Sequence, residues 1–198
     1  MKLTTTRLLL FIASLMFTVA EAQLKLPGTG NPDVRNALEK VISDFPKEFA
    51  SLKGEVISTN PQTVEYESLL NFKTAEKNVV IRYSGSQPIY SWQALMSATE
   101  EFETAAKKYK TLYSQLKGMT LKLNRDYDYS LSGEYDKPDE NKKFSSTVFQ
   151  LLPNASYLPN VKVELSLQYE LLEWKIYLVV YQKEREDNER GKVKETSP

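Results

Sequence analysis

One stretch of the chain, from Trp92 to Lys117, limits what the rest can fold into. Its apolar residues recur at steps of three and four, the spacing that places side chains on one face of a helix. Ser91 stands where an N-cap residue belongs, and Gly118 stands where a left-handed residue would end the helix. Burying the stripe is worth on the order of 15–20 kcal/mol, and ordering its residues costs at least as much. The pattern therefore predicts a long helix that needs a broad apolar surface to pack against.

The first residues of the chain have the pattern of a secretory signal peptide. A short cationic start containing Lys2 and Arg7 precedes an apolar run, and Ala20-Glu21-Ala22 supplies the small–x–small cleavage site. The alternative is a retained membrane anchor, but the run is too short to span about 30 Å of hydrocarbon comfortably. The sequence therefore predicts an exported protein, periplasmic or extracellular, with no transmembrane segment after cleavage.

Composition excludes several classes of function. The chain contains neither cysteine nor histidine, so Ser-His-Asp and Cys-His catalysis and His-ligated zinc or haem are ruled out. The chain has 26 basic and 26 acidic side chains, and removing residues 1–22 leaves a net charge near −1. Nucleic acid binding needs a basic surface, which this charge does not provide. We therefore predict no nucleic acid partner and no cofactor.

Four segments are predicted along the chain. They are a signal peptide (1–22), a flexible leader (23–30), a single α+β domain (31–181) and a charged disordered tail (182–198). The domain should begin with a helix, because Asn31 can cap it, Pro32 suits its first position and Asp33 lies in its first turn. Pro46 should kink that helix or divide it in two, with Asp44 capping the second part.

The segment from Asp44 to Phe49, together with Lys53-Gly54-Glu55, carries a resemblance. In these residues the chain resembles uncharacterised small secreted bacterial proteins. The resemblance implies a bacterial secreted or periplasmic protein, and it brings no catalytic or binding residues with it.

Alternating apolar residues predict the strands. Three short strands are expected between residues 55 and 83, and others at 121–131, 144–152, 161–169 and 172–180. The parity of the alternation changes near Glu170 to Glu173, which predicts a tight hairpin or a bulge there although those residues have poor turn chemistry. The resulting fold class is α+β, with an antiparallel sheet of about six to seven strands packed against one long and one N-terminal helix.

The candidate binding residues are tyrosines and arginines on predicted strands. Such side chains can form an open platform, because a tyrosine ring offers an apolar body with a polar tip and arginine supplies a charge. The alternative is that the tyrosines cover the core. The calcium-like run Asn124-x-Asp126-x-Asp128 lacks the glycine and glutamate that an EF-hand requires, so no metal site is predicted. The platform residues are Arg125, Tyr127, Tyr129, Tyr135, Arg82 and Tyr83.

These observations favour a non-catalytic binding protein that uses a sheet face or a groove. Its partner would be an unknown protein, a glycan or an apolar ligand. Two alternatives remain open, a carboxylate-dependent hydrolase resembling a glycosidase and a carrier of an apolar small ligand. An enzyme is the less favoured interpretation, because the sequence contains no histidine, no cysteine and no recognisable catalytic motif.

Overall fold

A computed structural model describes residues 31–85, 89–125, 127–155, 158 and 160–182. The predicted signal peptide, leader and tail lie outside these ranges, except for Gln182 at the end of the last strand. The elements, in chain order, are helix α1 Pro32–Asp44, a 3-10 turn Phe45–Lys47, β1 Lys53–Thr59, β2 Thr63–Ser68, β3 Lys77–Tyr83, β4 Ile89–Thr99, α2 Phe102–Leu116, β5 Thr120–Leu121, β6 Tyr129–Ser132, β7 Phe144–Leu152, β8 Val161–Glu170 and β9 Glu173–Gln182.

All the strands belong to one antiparallel sheet of nine strands in the order β1-β2-β3-β4-β9-β8-β7-β6-β5. Two meanders, β1 to β4 and β5 to β9, are joined where β4 pairs with β9. The predicted fold class is therefore wrong. The described residues are mostly sheet with two short helices, and they form nine strands, not six to seven, and no long helix.

The predicted long helix is divided between a strand and a helix. Residues 89–99 form β4, and α2 begins only at Phe102. Trp92, Ala94 and Met96 are buried at every second position, which is a strand period. Ser91 therefore lies inside β4 and does not cap a helix. The predicted end of the helix is confirmed, because Gly118 has a φ of 72° in the left-handed region just after α2.

The start of α1 is as predicted, with the Asn31 side chain accepting a hydrogen bond from the Asp33 amide at 3.0 Å. The connection after α1 differs from the prediction. Asp44 makes no side-chain cap on the 3-10 turn, and its carboxylate instead accepts hydrogen bonds from Ser51. Glu48 and Phe49 then have positive φ values and turn the chain toward β1.

The predicted strand over residues 121–131 is also wrong. Only Thr120–Leu121 and Tyr129–Ser132 are strands, and they pair with each other as β5 and β6. Between them the Asn124 side chain accepts a hydrogen bond from the Tyr127 amide at 2.9 Å. This local bond favours a turn over a strand, and it interrupts the alternation that the sequence shows.

A tight hairpin joins β8 to β9, as the change of parity predicted. Glu170 pairs directly with Glu173, so Leu171 and Leu172 alone form the turn. Both leucines have positive φ values, 50° and 71°.

The core lies on one face of the sheet. Both helices pack there against alternate residues of the strands, including Val80, Trp92, Val180 and Phe149, in one continuous cluster. Val79, Ile81 and Tyr181 have the opposite parity and are buried outside that cluster. In the part of the chain that the structure covers, neither helix has the length and apolar character needed to cross a membrane.

Candidate functional site

The six predicted platform residues lie in two separate regions. Arg82 and Tyr83 are neighbours on β3 and so face opposite sides of the sheet. The other four belong to β6 and to the connections on either side of it, and β3 is separated from β6 by β4, β9, β8 and β7. The structure therefore does not bring the six side chains together.

Among the four distal residues, exposure differs widely. Arg125 and Tyr127 are exposed in the β5–β6 connection, with 63% of Tyr127 accessible. Tyr129 is buried in the core, and its hydroxyl accepts a hydrogen bond from the side-chain Nδ2 of Asn124 at 3.1 Å. Tyr135 packs its ring 4.8 Å from that of Tyr113. Tyr129 and Tyr135 thus pack in or against the core.

Arg82 lies among side chains that were not predicted to meet it. It pairs across strands with Tyr90 of β4, and Tyr66 of β2 lies on the same sheet face because it pairs with Val80. The Nζ atom of Lys53 is 4.3 Å from the centre of the Tyr90 ring and 5.9 Å from that of Tyr66. We name Lys53, Tyr66, Arg82 and Tyr90 the Arg82 site.

The local sequence explains why these four side chains converge. The alternation of β2, β3 and β4 places Tyr66, Arg82 and Tyr90 on the helix-bearing face, at the margin of the core. Lys53 opens β1, where its amide donates a hydrogen bond to the Phe49 carbonyl at 3.0 Å. All four side chains are half-buried, so the site is sheltered yet reachable from solvent.

The Arg82 site contains two cationic side chains, Lys53 and Arg82, and the Glu48 carboxylate is close enough to act on Tyr90. Burial raises the pKa of the Tyr90 hydroxyl; Glu48 and Tyr66 act in the same direction, and Arg82 opposes them. Tyr90 therefore remains a hydrogen-bond donor at neutral pH. Within the described ranges, the Nε atom of Arg82 is shielded from solvent and has no hydrogen-bond partner.

This arrangement suits an anionic group. An arginine fork binds a carboxylate through two parallel hydrogen bonds, and Lys53 adds a second positive charge on the same face. The tyrosine rings supply apolar surface with polar tips. Metal binding has no comparable basis, since the residues described include no cluster of three or more Asp or Glu side chains suited to an ion.

The sequence indicated Arg82 but missed its partners. Tyr66 and Tyr90 share its parity on neighbouring strands, but this signal needs the strand register, and the helix predicted from Trp92 left no strand over Tyr90. Lys53 arrives through the turn at Glu48 and Phe49, where two residues with side chains adopt positive φ. No sequence rule anticipates a left-handed conformation at such residues.

A second polar group involves two carboxylates around Ser146. Its amide donates to Asp136 Oδ2 at 3.0 Å, and its hydroxyl donates to Glu164 Oε1 at 2.5 Å. These bonds tie the loop before β7 to β7 and β8. Both carboxylates thus serve the structure of this part of the sheet.

Comparison with known proteins gives no match for this chain. No family model matches it, and neither a curated protein nor a solved structure does. What the protein binds must therefore be inferred from its own residues and their geometry.

Proposed function

We propose that the chain is an exported, non-catalytic binding protein, periplasmic or extracellular, that takes an anionic ligand at the Arg82 site. The pattern of residues 1–22 supports export, and so does the resemblance at Asp44 to Glu55. A carboxylate-bearing sugar is the ligand class that uses both parts of the site. Its carboxylate would pair with Arg82, and its apolar ring face would lie against tyrosine.

One observation carries this proposal. The Nε atom of Arg82 is hidden from solvent and has no hydrogen-bond partner within the described part of the chain. A buried donor without a partner costs about 1–3 kcal/mol, more for a charged group, so a ligand that displaces the side chains covering Nε and supplies an acceptor recovers that energy. Lys53 lies on the same side and strengthens the attraction for an anion.

Binding has better support than hydrolysis. A glycosidase needs two carboxylates on either side of the scissile bond, whereas Asp136 and Glu164 are both occupied by hydrogen bonds from Ser146. A carrier of an apolar ligand, the other alternative, would have no use for the positive charges of Lys53 and Arg82.

The test is a titration of the purified protein with glucuronate, followed by NMR at the Arg82 Nε–H signal. Glucose serves as the neutral control ligand. We expect glucuronate to shift the signal to saturation and glucose to leave it in place. Arg82→Gln should weaken binding by roughly 10–100-fold, the equivalent of one charged hydrogen-bond pair.

Arg125→Gln is the matched control variant. Arg125 is exposed on the β5–β6 connection, so its replacement removes the same charge without touching the Arg82 site. Equal affinities of the two variants for glucuronate, or no response of the Arg82 signal, would reject the proposal.

A further inference from the structure

The hairpin between β8 and β9 has a turn that its residues do not favour. Two-residue hairpin loops of this kind need positive φ at both positions, and Asn-Gly is the preferred pair. Here the positions are occupied by Leu171 and Leu172, with φ values of 50° and 71°. In a left-handed residue the Cβ atom crowds the following carbonyl oxygen, so both leucines strain the backbone.

The same two residues are the most exposed large apolar side chains that the structure describes. Leu171 is 88% exposed and Leu172 is 76% exposed. Isolated surface leucines are ordinary, but at both positions of this turn the exposure coincides with backbone strain. Strain that the fold does not need is a mark of functional segments.

The turn is presented on a rigid aromatic base. Tyr169 and Trp174 pair across the hairpin with ring centres 5.1 Å apart, and Phe102 packs 4.9 Å from Trp174 on the other side. The Tyr177 hydroxyl donates a hydrogen bond to Glu170 at 3.1 Å. A rigid base lowers the entropy cost of holding the two leucines in a partner.

The charges next to the leucines are acidic. Glu170 and Glu173 flank the turn directly, and Lys175 forms an ion pair with Glu173 at 3.8 Å. Lys143 lies further back, with its Nζ atom 5.2 Å from the centre of the Tyr169 ring. Carboxylates at the base of the turn oppose insertion into an anionic bilayer, and they favour a surface that carries positive charge.

We infer that Leu171 and Leu172 dock into an apolar pocket of another protein, one whose rim carries lysine or arginine side chains opposite Glu170 and Glu173. This contact is independent of the Arg82 site. On β9 the turn lies beside Trp174, whereas the strand register places the Arg82 site near Val180 and beyond.

The first test measures the strain in the purified protein. Leu171→Asn combined with Leu172→Gly replaces the turn with the preferred pair. Relief of two left-handed leucines should raise the melting temperature by roughly 4–8 °C. An unchanged or lower melting temperature would show that the leucines suit the turn, and the inference would then fail.

The second test identifies the occupant by photo-crosslinking of the full chain in the cells that produce it. Leu171→benzoylphenylalanine is the probe, and Val56→benzoylphenylalanine on β1 is the exposed control. We expect an adduct of the Leu171 probe with one protein, mapped to a segment with apolar residues beside Lys or Arg. Charge reversal by Glu170→Lys and Glu173→Lys should lower its yield about 10-fold or more.

Three outcomes of the crosslinking experiment would overturn the inference. They are an adduct with lipid, an adduct with a second copy of this chain, and a set of adducts that is the same for the Leu171 probe and the Val56 control. Arg82→Gln should leave the yield of the Leu171 adduct unchanged, which keeps this test separate from that of the Arg82 site.

Discussion

The carboxylate of Asp44 accepts two hydrogen bonds from Ser51, one from the amide and one from the hydroxyl, each 2.9 Å long. Asp44 is only 6% exposed, and the chain that it holds passes through two left-handed residues. Asp44→Ala would remove both hydrogen bonds that the buried carboxylate accepts from Ser51, so we expect it to lower the free energy of unfolding by about 1–3 kcal/mol. Urea denaturation measures this loss.

Two comparisons control the Asp44 experiment. Asp44→Asn keeps one acceptor and should lose less stability than Asp44→Ala. Glu140→Ala removes an exposed carboxylate and should stay within about 0.5 kcal/mol of the parent protein. If Asp44→Ala behaves like Glu140→Ala, the bonds to Ser51 do not hold the connection.

The buried hydroxyl of Tyr109 predicts a loss of stability at alkaline pH. Burial raises the pKa of Tyr109 well above its ordinary value of 10.0, although the hydrogen bond with Thr147 opposes the shift. An unfolded tyrosine loses its proton near pH 10 while the folded one keeps it. The contribution of Tyr109 is therefore complete below about pH 10 and falls by about 1.4 kcal/mol per pH unit above it.

Tyr109→Phe removes this titration. The variant should lose about 1 kcal/mol at neutral pH, because Thr147 loses a partner, but its stability should fall less between about pH 8 and pH 11. Urea midpoints at both pH values check the difference. Tyr177, whose pKa is also raised by burial, would account for part of the fall that remains. If the stability of parent and variant falls equally with pH, Tyr109 is not the source of the alkaline loss.

At the scale of single elements, Gly118 determines how α2 ends. Its φ is 72°, and a Cβ atom at this position would meet no neighbour within 4 Å. Gly118→Ala therefore tests the backbone alone, and we expect a loss of about 1–2 kcal/mol. Gly118→Asn should lose less, because asparagine tolerates the left-handed region better. Equal unfolding midpoints for all three proteins would show that the residue is not held in this conformation.

The elements differ in how far the sequence could predict them. The start of α1 and the β8–β9 hairpin follow from local signals, namely a cap and a change of parity. The stretch from Trp92 to Thr99 fits two periods, so the prediction of a helix there was wrong. A helix period matches Trp92, Leu95, Met96 and Thr99. A strand period matches Trp92, Ala94 and Met96. Tertiary burial decides between the two, and no glycine or proline separates β4 from α2.

The Arg82 site was predictable only in part, for a related reason. Arg82 was indicated by its own chemistry, whereas Tyr66 and Tyr90 meet it only through the register of β2, β3 and β4. The residues around Tyr127 alternate as a strand does, but the hydrogen bond that the Tyr127 amide donates to the Asn124 side chain forms a turn instead. A sequence pattern predicts which face of a strand a side chain lies on. Only the pairing between strands shows which side chains meet at the site.

At the scale of the whole molecule, two meanders share one core. The sheet is continuous across the β4–β9 pairing, and side chains from both meanders and both helices form a single cluster. Core contacts that cross between the meanders favour one cooperative transition over two.

The two tryptophans test this cooperativity, because Trp92 lies in the first meander and Trp174 in the second. In Trp174→Phe the fluorescence reports Trp92 alone, and in Trp92→Phe it reports Trp174 alone. Within each variant, urea midpoints from fluorescence and from far-ultraviolet circular dichroism should coincide. Adding Val80→Ala, a buried change in the first meander, should lower the free energy of unfolding by about 1–3 kcal/mol, whichever tryptophan reports it. If Val80→Ala leaves the urea midpoint of the Trp174 signal unchanged, β5 to β9 unfold apart from β1 to β4. The β4–β9 pairing would then join two independent units.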